Sequence, residues 1–143
     1  MSSFESDGIN QMIAQIEKLS NRDETYYSMI SAGQDILKNA IINGASKHIQ
    51  TGRMVNGVYS TTPVKNSQND WIGRVKFQGS SGTYKTKTGK KYDITNWLKA
   101  YRIEYGTSKQ APSPFLRPAI ISSESIINKK MEEIFNHALE ELK

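Results

Sequence analysis

The chain of 143 residues has no cysteine. That excludes a disulfide framework, a thiolate metal site and a cysteine nucleophile, and it fits a reducing compartment. Histidine is nearly absent too: His48 and His137 are too few for a metal site without help from carboxylates. No apolar run approaches the roughly 20 residues that a membrane-spanning helix needs. The first residues, Met1 to Asp7, are polar and acidic, without the basic start and apolar core of a signal peptide. The sequence therefore predicts a protein that is soluble and cytoplasmic when made, with no membrane contact. Sequence signatures of catalysis are also missing. There is no Gly-x-Ser-x-Gly nucleophile turn. Gly82 and Gly89 are spaced wrongly for a phosphate cradle, and Gly89-Lys90 is followed by Lys91 instead of Ser or Thr. The length predicts a single domain over 1–143, burying roughly two thirds of its unfolded surface.

What is present is an uneven distribution of charge. The formal net charge is +5. Between Lys38 and Lys109 thirteen basic residues face three acidic ones, Asp70, Asp93 and Glu104, a net of +10. The two ends together carry six basic and eleven acidic residues, a net of −5. A basic centre suits nucleic acid or an acidic protein partner, and it equally suits an ordinary solvated surface.

Hydrophobic periodicity predicts the elements. Ile9, Met12, Ile13, Ile16 and Leu19 recur at helical spacing, with Asp7 placed to cap them. Asp23 is placed to cap a second helix from Glu24 to about Ile49. Its stripe is Tyr26, Met29, Ile30, Gly33, Ile36, Leu37, Ala40, Ile41 and Gly44. Gly33 and Gly44 fall on that stripe, three turns apart, and predict close approach of another backbone. Gly52 is read as the stop of this helix. Val55 to Thr62 and Trp71 to Phe77 read as strands, the second half-buried. The turn-rich Lys65–Asp70 between them predicts a hairpin. Residues 79–91 form a Lys-rich, low-complexity stretch whose only core-forming residue is Tyr84. It reads as an exposed, mobile loop or an extended hairpin. Ile94, Trp97, Leu98, Tyr101 and Tyr105 fit a helix, and Tyr101 to Tyr105 also fit an extended end. A last long helix from Ile120 to Leu142 has Ile120, Ile127, Met131, Ile134, Phe135, Ala138 and Leu142 as its core face. The predicted class is α+β: a small antiparallel or mixed sheet packed against a long helix in the N-terminal half and a long C-terminal helix.

Candidate chemistry is sparse. Glu132-Glu133 and Glu140-Glu141 read as a solvated helix face, because acid/base work needs carboxylates in contrasting environments. Asp93 and Glu104 read as a helix cap and a surface charge. His48 lies where a helix C-terminus favours a cation, and His137 lies one turn from Glu133 and Glu141, which suggests surface pairing. No catalytic, metal or cofactor-binding residue is assigned. Lys85, Lys87, Lys90 and Lys91, with Tyr84 and Tyr92 among them, are candidates for contacting phosphate backbones and stacking on bases.

The most distinctive stretch is Tyr105-Gly-Thr-Ser-Lys-Gln-Ala-Pro-Ser-Pro-Phe-Leu-Arg-Pro-Ala119. It is a Gly- and Pro-punctuated loop without a catalytic group, running straight into a helix. Pro112 and Pro114 stiffen it, which lowers the cost of ordering on docking. Phe115 and Leu116 are anchors either of the core or of an interface. Arg117 is long enough for bidentate pairing, with Glu104 as its candidate partner.

Tyr101-Arg-Ile-Glu-Tyr-Gly-Thr-Ser-Lys109 followed by Pro114-Phe-Leu-Arg-Pro-Ala119 resembles the signature of the tail-completion, or head–tail joining, proteins of siphophages and prophages. In that family an aromatic and acidic segment ending in Tyr/Phe-Gly-Thr precedes a Pro-Phe-Leu-Arg-Pro-Ala helix start. Thr51-Gly52-Arg53-Met54, after a long amphipathic helix, resembles the family's Thr-Gly-Arg-Leu element at the same relative place. The likeness runs from about Ile9 to the C-terminal helix, and the Lys-rich stretch is longer and more polar than the family pattern.

The resemblance implies a non-enzymatic α+β subunit of a phage neck, a minor tail component without cofactor. Such proteins are similar to tail terminators that ring the top of the tail tube, commonly as hexamers, and dock to the head-completion ring. Many are monomeric alone and assemble only on the virion. DNA passes through the lumen of the ring. The implied partners are copies of the chain, head-completion proteins and tail-tube proteins. The implied locations are the bacterial host cytoplasm during assembly and then the virion neck. The interface candidates are Thr51, Gly52, Arg53, Tyr105, Gly106, Thr107, Phe115, Leu116 and Arg117. The alternative function, from the residues alone, is a small basic nucleic-acid-binding module.

Overall fold

The computed structural model describes residues 8–14, 16, 23–48 and 52–141. Helix α1 (Asp23–Ala45) ends in a 3-10 turn, Ser46–His48, and α2 (Arg53–Asn56) is a single short turn. Six strands follow: β1 (Val58–Ser60), β2 (Val64–Lys65), β3 (Trp71–Ile72), β4 (Val75–Phe77), β5 (Ser80–Lys85) and β6 (Lys91–Thr95). Helices α3 (Asn96–Tyr105) and α4 (Leu116–Glu141) complete the α+β fold. Residues 8–14 and 16 are also helical, with Ile9, Met12, Ile13 and Ile16 exposed. Asp7, Leu19, Ile49 and Leu142 lie outside the described residues.

The long helices α1 and α4 pack along one another, as their apolar stripes require. A Cβ on Gly33 would lie 2.7 Å from Met131 Cε, and one on Gly44 would lie 3.2 Å from the Phe115 carbonyl oxygen. Gly44 therefore admits the backbone that starts α4, as expected of it, whereas Gly33 makes room for side chains. Ile120 is an exception to the expected core face. It is exposed, while Ala119 and Ser123 of the same helix are buried. The Ser123 hydroxyl resolves its own burial by donating to the Ala119 carbonyl at 2.6 Å.

Among the described residues all strands pair antiparallel, as three two-stranded ladders: β1 with β4, β2 with β3, and β5 with β6. The expected strand from Val55 begins only at Val58, because Arg53–Asn56 closes a helical turn with Asn56 N–H donating to Gly52 O at 3.0 Å. Gly52, at φ 77°, thus opens this turn instead of stopping α1. The expected strand Trp71–Phe77 is broken at Gly73-Arg74. There the buried Gln34 of α1 reaches in, its amide donating to Thr61 O at 2.8 Å and to Arg74 O at 3.1 Å. The hairpin at Lys65–Asp70 forms as expected, with Val64 opposite Ile72 and Asn66 Oδ1 accepting from the Gln68 and Asp70 amides. Asp23 is the first residue of α1, and its carboxylate pairs with Lys65 at 2.7 Å. The Lys-rich stretch takes the extended-hairpin form as β5 and β6, with a turn over Thr86–Lys90.

The core joins Ile41 and Ala45 of α1, Met54, Val58, Ala100 and Ile103 of α3, Phe115, and Ala119 of α4. Alanines recur in it because α3 and α4 come close to the centre. Trp97, Tyr101 and Tyr105 of α3 and Ile120, Ile121 and Ile126 of α4 remain outside it.

Candidate functional site

The segment from Tyr101 to Ala119 is built around one carboxylate. A helix start leaves its first backbone N–H groups without intrahelical acceptors. At α4 these belong to Phe115, Leu116 and Arg117, because Pro118 has no N–H and Ala119 already bonds to Phe115 O at 3.2 Å. Glu104, the penultimate residue of α3, accepts from all three. Its Oε2 accepts from Phe115 N at 2.7 Å and Leu116 N at 2.8 Å, and its Oε1 from Arg117 N at 3.0 Å. The residue is only 6% exposed. Burial opposes its ionisation most strongly. The three backbone N–H groups, and more weakly the Arg117 charge, outweigh that and hold the carboxyl below its ordinary value. The expected Glu104–Arg117 pairing takes another form: the carboxylate accepts from the Arg117 backbone N–H, and the Arg117 charge adds only the weakest of the pulls on it.

The loop between the two helices is equally determined. Gly106 closes α3 at φ 77°, its N–H donating to Arg102 O at 2.8 Å. A Cβ there would sit 2.8 Å from Pro112, so only glycine fits. Thr107 and Gln110 exchange backbone hydrogen bonds across a tight turn, at 2.9 and 3.3 Å. Ser113 N–H then donates to the free Ile103 carbonyl at 2.8 Å. Phe115 enters the chain's own core at 3% exposure, edge-on to Phe77 and beside His48 at 5.8 Å between centroids. Leu116 packs partly buried behind it, and Arg117 is exposed.

Sequence periodicity points to the wrong face of α3. Trp97, Tyr101 and Tyr105 follow each other at four-residue spacing, yet they are 52%, 47% and 65% exposed. They touch in series, at 6.3 Å and 4.8 Å between centroids, with Phe77 at 6.2 Å from Trp97. The buried face is instead Asn96, Ala100, Ile103 and Glu104. Asn96 is the residue that sequence reasoning misses. It is buried, and its amide donates to Arg53 O at 3.0 Å and Gln78 O at 2.6 Å, while its Oδ1 meets the Ser81 hydroxyl. It thereby ties α2, the end of β4 and the root of the β5–β6 hairpin to α3. The available signal is local: Thr95 caps α3 through Leu98 N–H at 3.0 Å, which makes Asn96 the first helical residue.

Of the other candidates, Gly52 and Arg53 form the turn under Asn96, and Thr51 lies outside the described residues. Lys85, Lys87, Lys90 and Lys91 are all exposed at the far end of the β5–β6 hairpin. Tyr84 and Tyr92 stack across it at 5.4 Å with their planes 22° apart. Glu132, Glu133, Glu140 and Glu141 are exposed, and His137 meets Glu141 at 3.4 Å. Among the described residues no group of three His, Cys, Asp or Glu side chains converges on a metal-sized space, and no helix is long and apolar enough to cross a membrane. Comparison with family models, with curated proteins and with solved structures returns no match to this chain.

Proposed function

We propose that this chain is a structural subunit of a tailed-phage neck, completing the tail or joining it to the head as part of a ring. The observation that carries the reading is the ladder Trp97–Tyr101–Tyr105. It is an exposed row of mutually braced aromatic side chains on the helix that opens the family-like signature. Large rigid aromatics are the residues that protein interfaces favour, because they bury much area for little lost entropy. A row of them on the surface, beside a core built partly of alanine, fits a subunit that completes its packing against neighbours. The signature also has a physical rationale. Glu104, Gly106, Pro112 and Pro118 fix the α3–loop–α4 corner in one shape, so that the ladder and the Thr107–Gln110 turn are presented without an ordering cost.

The partners proposed are copies of the chain, a tail-tube protein and a head-completion protein. Light scattering and negative-stain imaging, with and without the tail-tube protein, test this. The wild type should form rings or bind tube ends, and Trp97→Ala/Tyr101→Ala should lose both while remaining folded, with a thermal midpoint lower by about 6–9 °C. A wild type that stays monomeric with tail tube present, or a double variant that assembles normally, overturns the reading.

A further inference from the structure

On α3, away from the aromatic ladder, lies a cleft of about 500 Å³. Its walls come from four separate pieces of chain: Lys47 and His48 from the 3-10 turn, Lys99 and Arg102 from α3, Ser81 from the hairpin root, and Gln110 from the tight turn. No lining residue is acidic. Lys99 and Arg102 stand three apart, on one helix face. None of Lys47, Lys99 and Arg102 has a carboxylate within ion-pair distance among the described residues. The one nearby buried carboxylate, Glu104, is fully engaged by three backbone N–H groups. Three cations and a histidine therefore share a concave space without a counter-charge, which raises the local potential and favours an anion.

The cleft also has a direction. Ile94 lines it, and Tyr92 lies two residues along β6, on the same strand face and roughly 7 Å further out. Tyr92 is stacked on its cross-strand partner Tyr84, and both rings are partly exposed. A basic recess leading to an aromatic surface within one nucleotide's reach suits an unpaired strand, whose phosphates take the charges and whose bases stack. We propose that this cleft binds the phosphodiester backbone of single-stranded nucleic acid, with the Tyr84–Tyr92 pair as its stacking surface. The cleft itself contains none of the four lysines at the hairpin's far end, although its stacking pair adjoins the Lys85–Lys91 rung, and the proposal stands independently of the neck assignment.

Fluorescence anisotropy with a labelled oligothymidylate tests it on the full chain, with inorganic phosphate and a duplex of equal length as competitors. The wild type should bind, and the single strand should compete at least tenfold better than the duplex. Lys99→Gln/Arg102→Gln should weaken binding at least tenfold and reduce the log–log salt slope by about 1.4, at roughly 0.7 for each phosphate left unneutralised. Lys47→Glu, on a different wall and an exposed residue, should weaken binding similarly, so the result does not hang on one helix folding correctly. Tyr92→Ala should weaken oligonucleotide binding and leave competition by inorganic phosphate unchanged. Absence of oligonucleotide binding by the wild type at low salt overturns the proposal, as does full binding by the cleft variants. So do duplex competition as strong as that of the single strand, and loss of binding on Lys90→Ala/Lys91→Ala with the cleft variants unaffected.

Discussion

Replacing Glu104 by Gln probes the structural centre of the signature segment, and the outcome follows from the hydrogen-bond geometry. The carboxylate accepts from three N–H groups at 2.7, 2.8 and 3.0 Å. A glutamine oxygen in the Oε2 position retains Phe115 and Leu116, but its amide nitrogen then faces the Arg117 N–H, donor against donor. The charge that complements the positive end of α4 is also lost. A hydrogen bond to a charged group contributes about 1.5–3 kcal/mol net. Removing one such bond and weakening two, offset by a smaller desolvation penalty for the neutral amide, gives an expected loss of about 2 kcal/mol. For a chain of this size that lowers the thermal midpoint by about 6 °C. Glu104→Ala, which orphans all three donors, should cost about 3–4 kcal/mol.

The pH dependence is the sharper readout. The Glu104 carboxyl in the folded chain titrates below its ordinary value of 4.5. A group with a depressed folded pKa contributes stability that is fully present above the unfolded value and is lost as pH falls through the folded one. The stability gap between wild type and Glu104→Gln should therefore be constant from pH 7 to about 5 and close progressively below about 4.5. Urea unfolding at a series of pH values measures it. A gap that stays constant down to pH 3, or no gap at neutral pH, refutes the capping argument.

Three further outcomes follow. Asn96→Ala should destabilise by about 2–3 kcal/mol, because it strips the Arg53 and Gln78 carbonyls and the Ser81 hydroxyl of a buried partner, and chemical denaturation reads this directly. Gly106→Ala should cost about 1–3 kcal/mol in the same assay, since φ 77° and the Pro112 contact both penalise a Cβ; an unchanged midpoint would contradict the loop geometry. Trp97→Ala/Tyr101→Ala should lower monomer stability by about 2–3 kcal/mol, because each ring is about half buried, so loss of assembly is scored under conditions where urea unfolding shows the variant still folded.

Local rules are enough to specify part of this fold from the order of residues. Apolar residues recurring every three or four positions specify α1 and α4 and their mutual packing, and turn residues specify the hairpin over Lys65–Asp70. Gly44 on the apolar stripe announces a close backbone approach, and Phe115 supplies that backbone. The remainder depends on how distant segments meet. Trp97, Tyr101 and Tyr105 carry the stronger hydrophobic signal on α3, yet Asn96, Ala100 and Ile103 are buried. The space against Met54 and Phe115, beside the Arg53 and Gln78 carbonyls, takes an alanine, an isoleucine and an amide, not indole or phenol rings. Glu104 reads in the sequence as a partner for an arginine. In the fold it is the acceptor for a helix start eleven to thirteen residues away. The basic cleft is invisible along the chain for the same reason: only Lys99 and Arg102 share a helical spacing, and they meet Lys47, Ser81 and Gln110 only where four elements converge. Periodicity reports which residues of an element share a face; which face is buried is set by what the rest of the chain can fit against it.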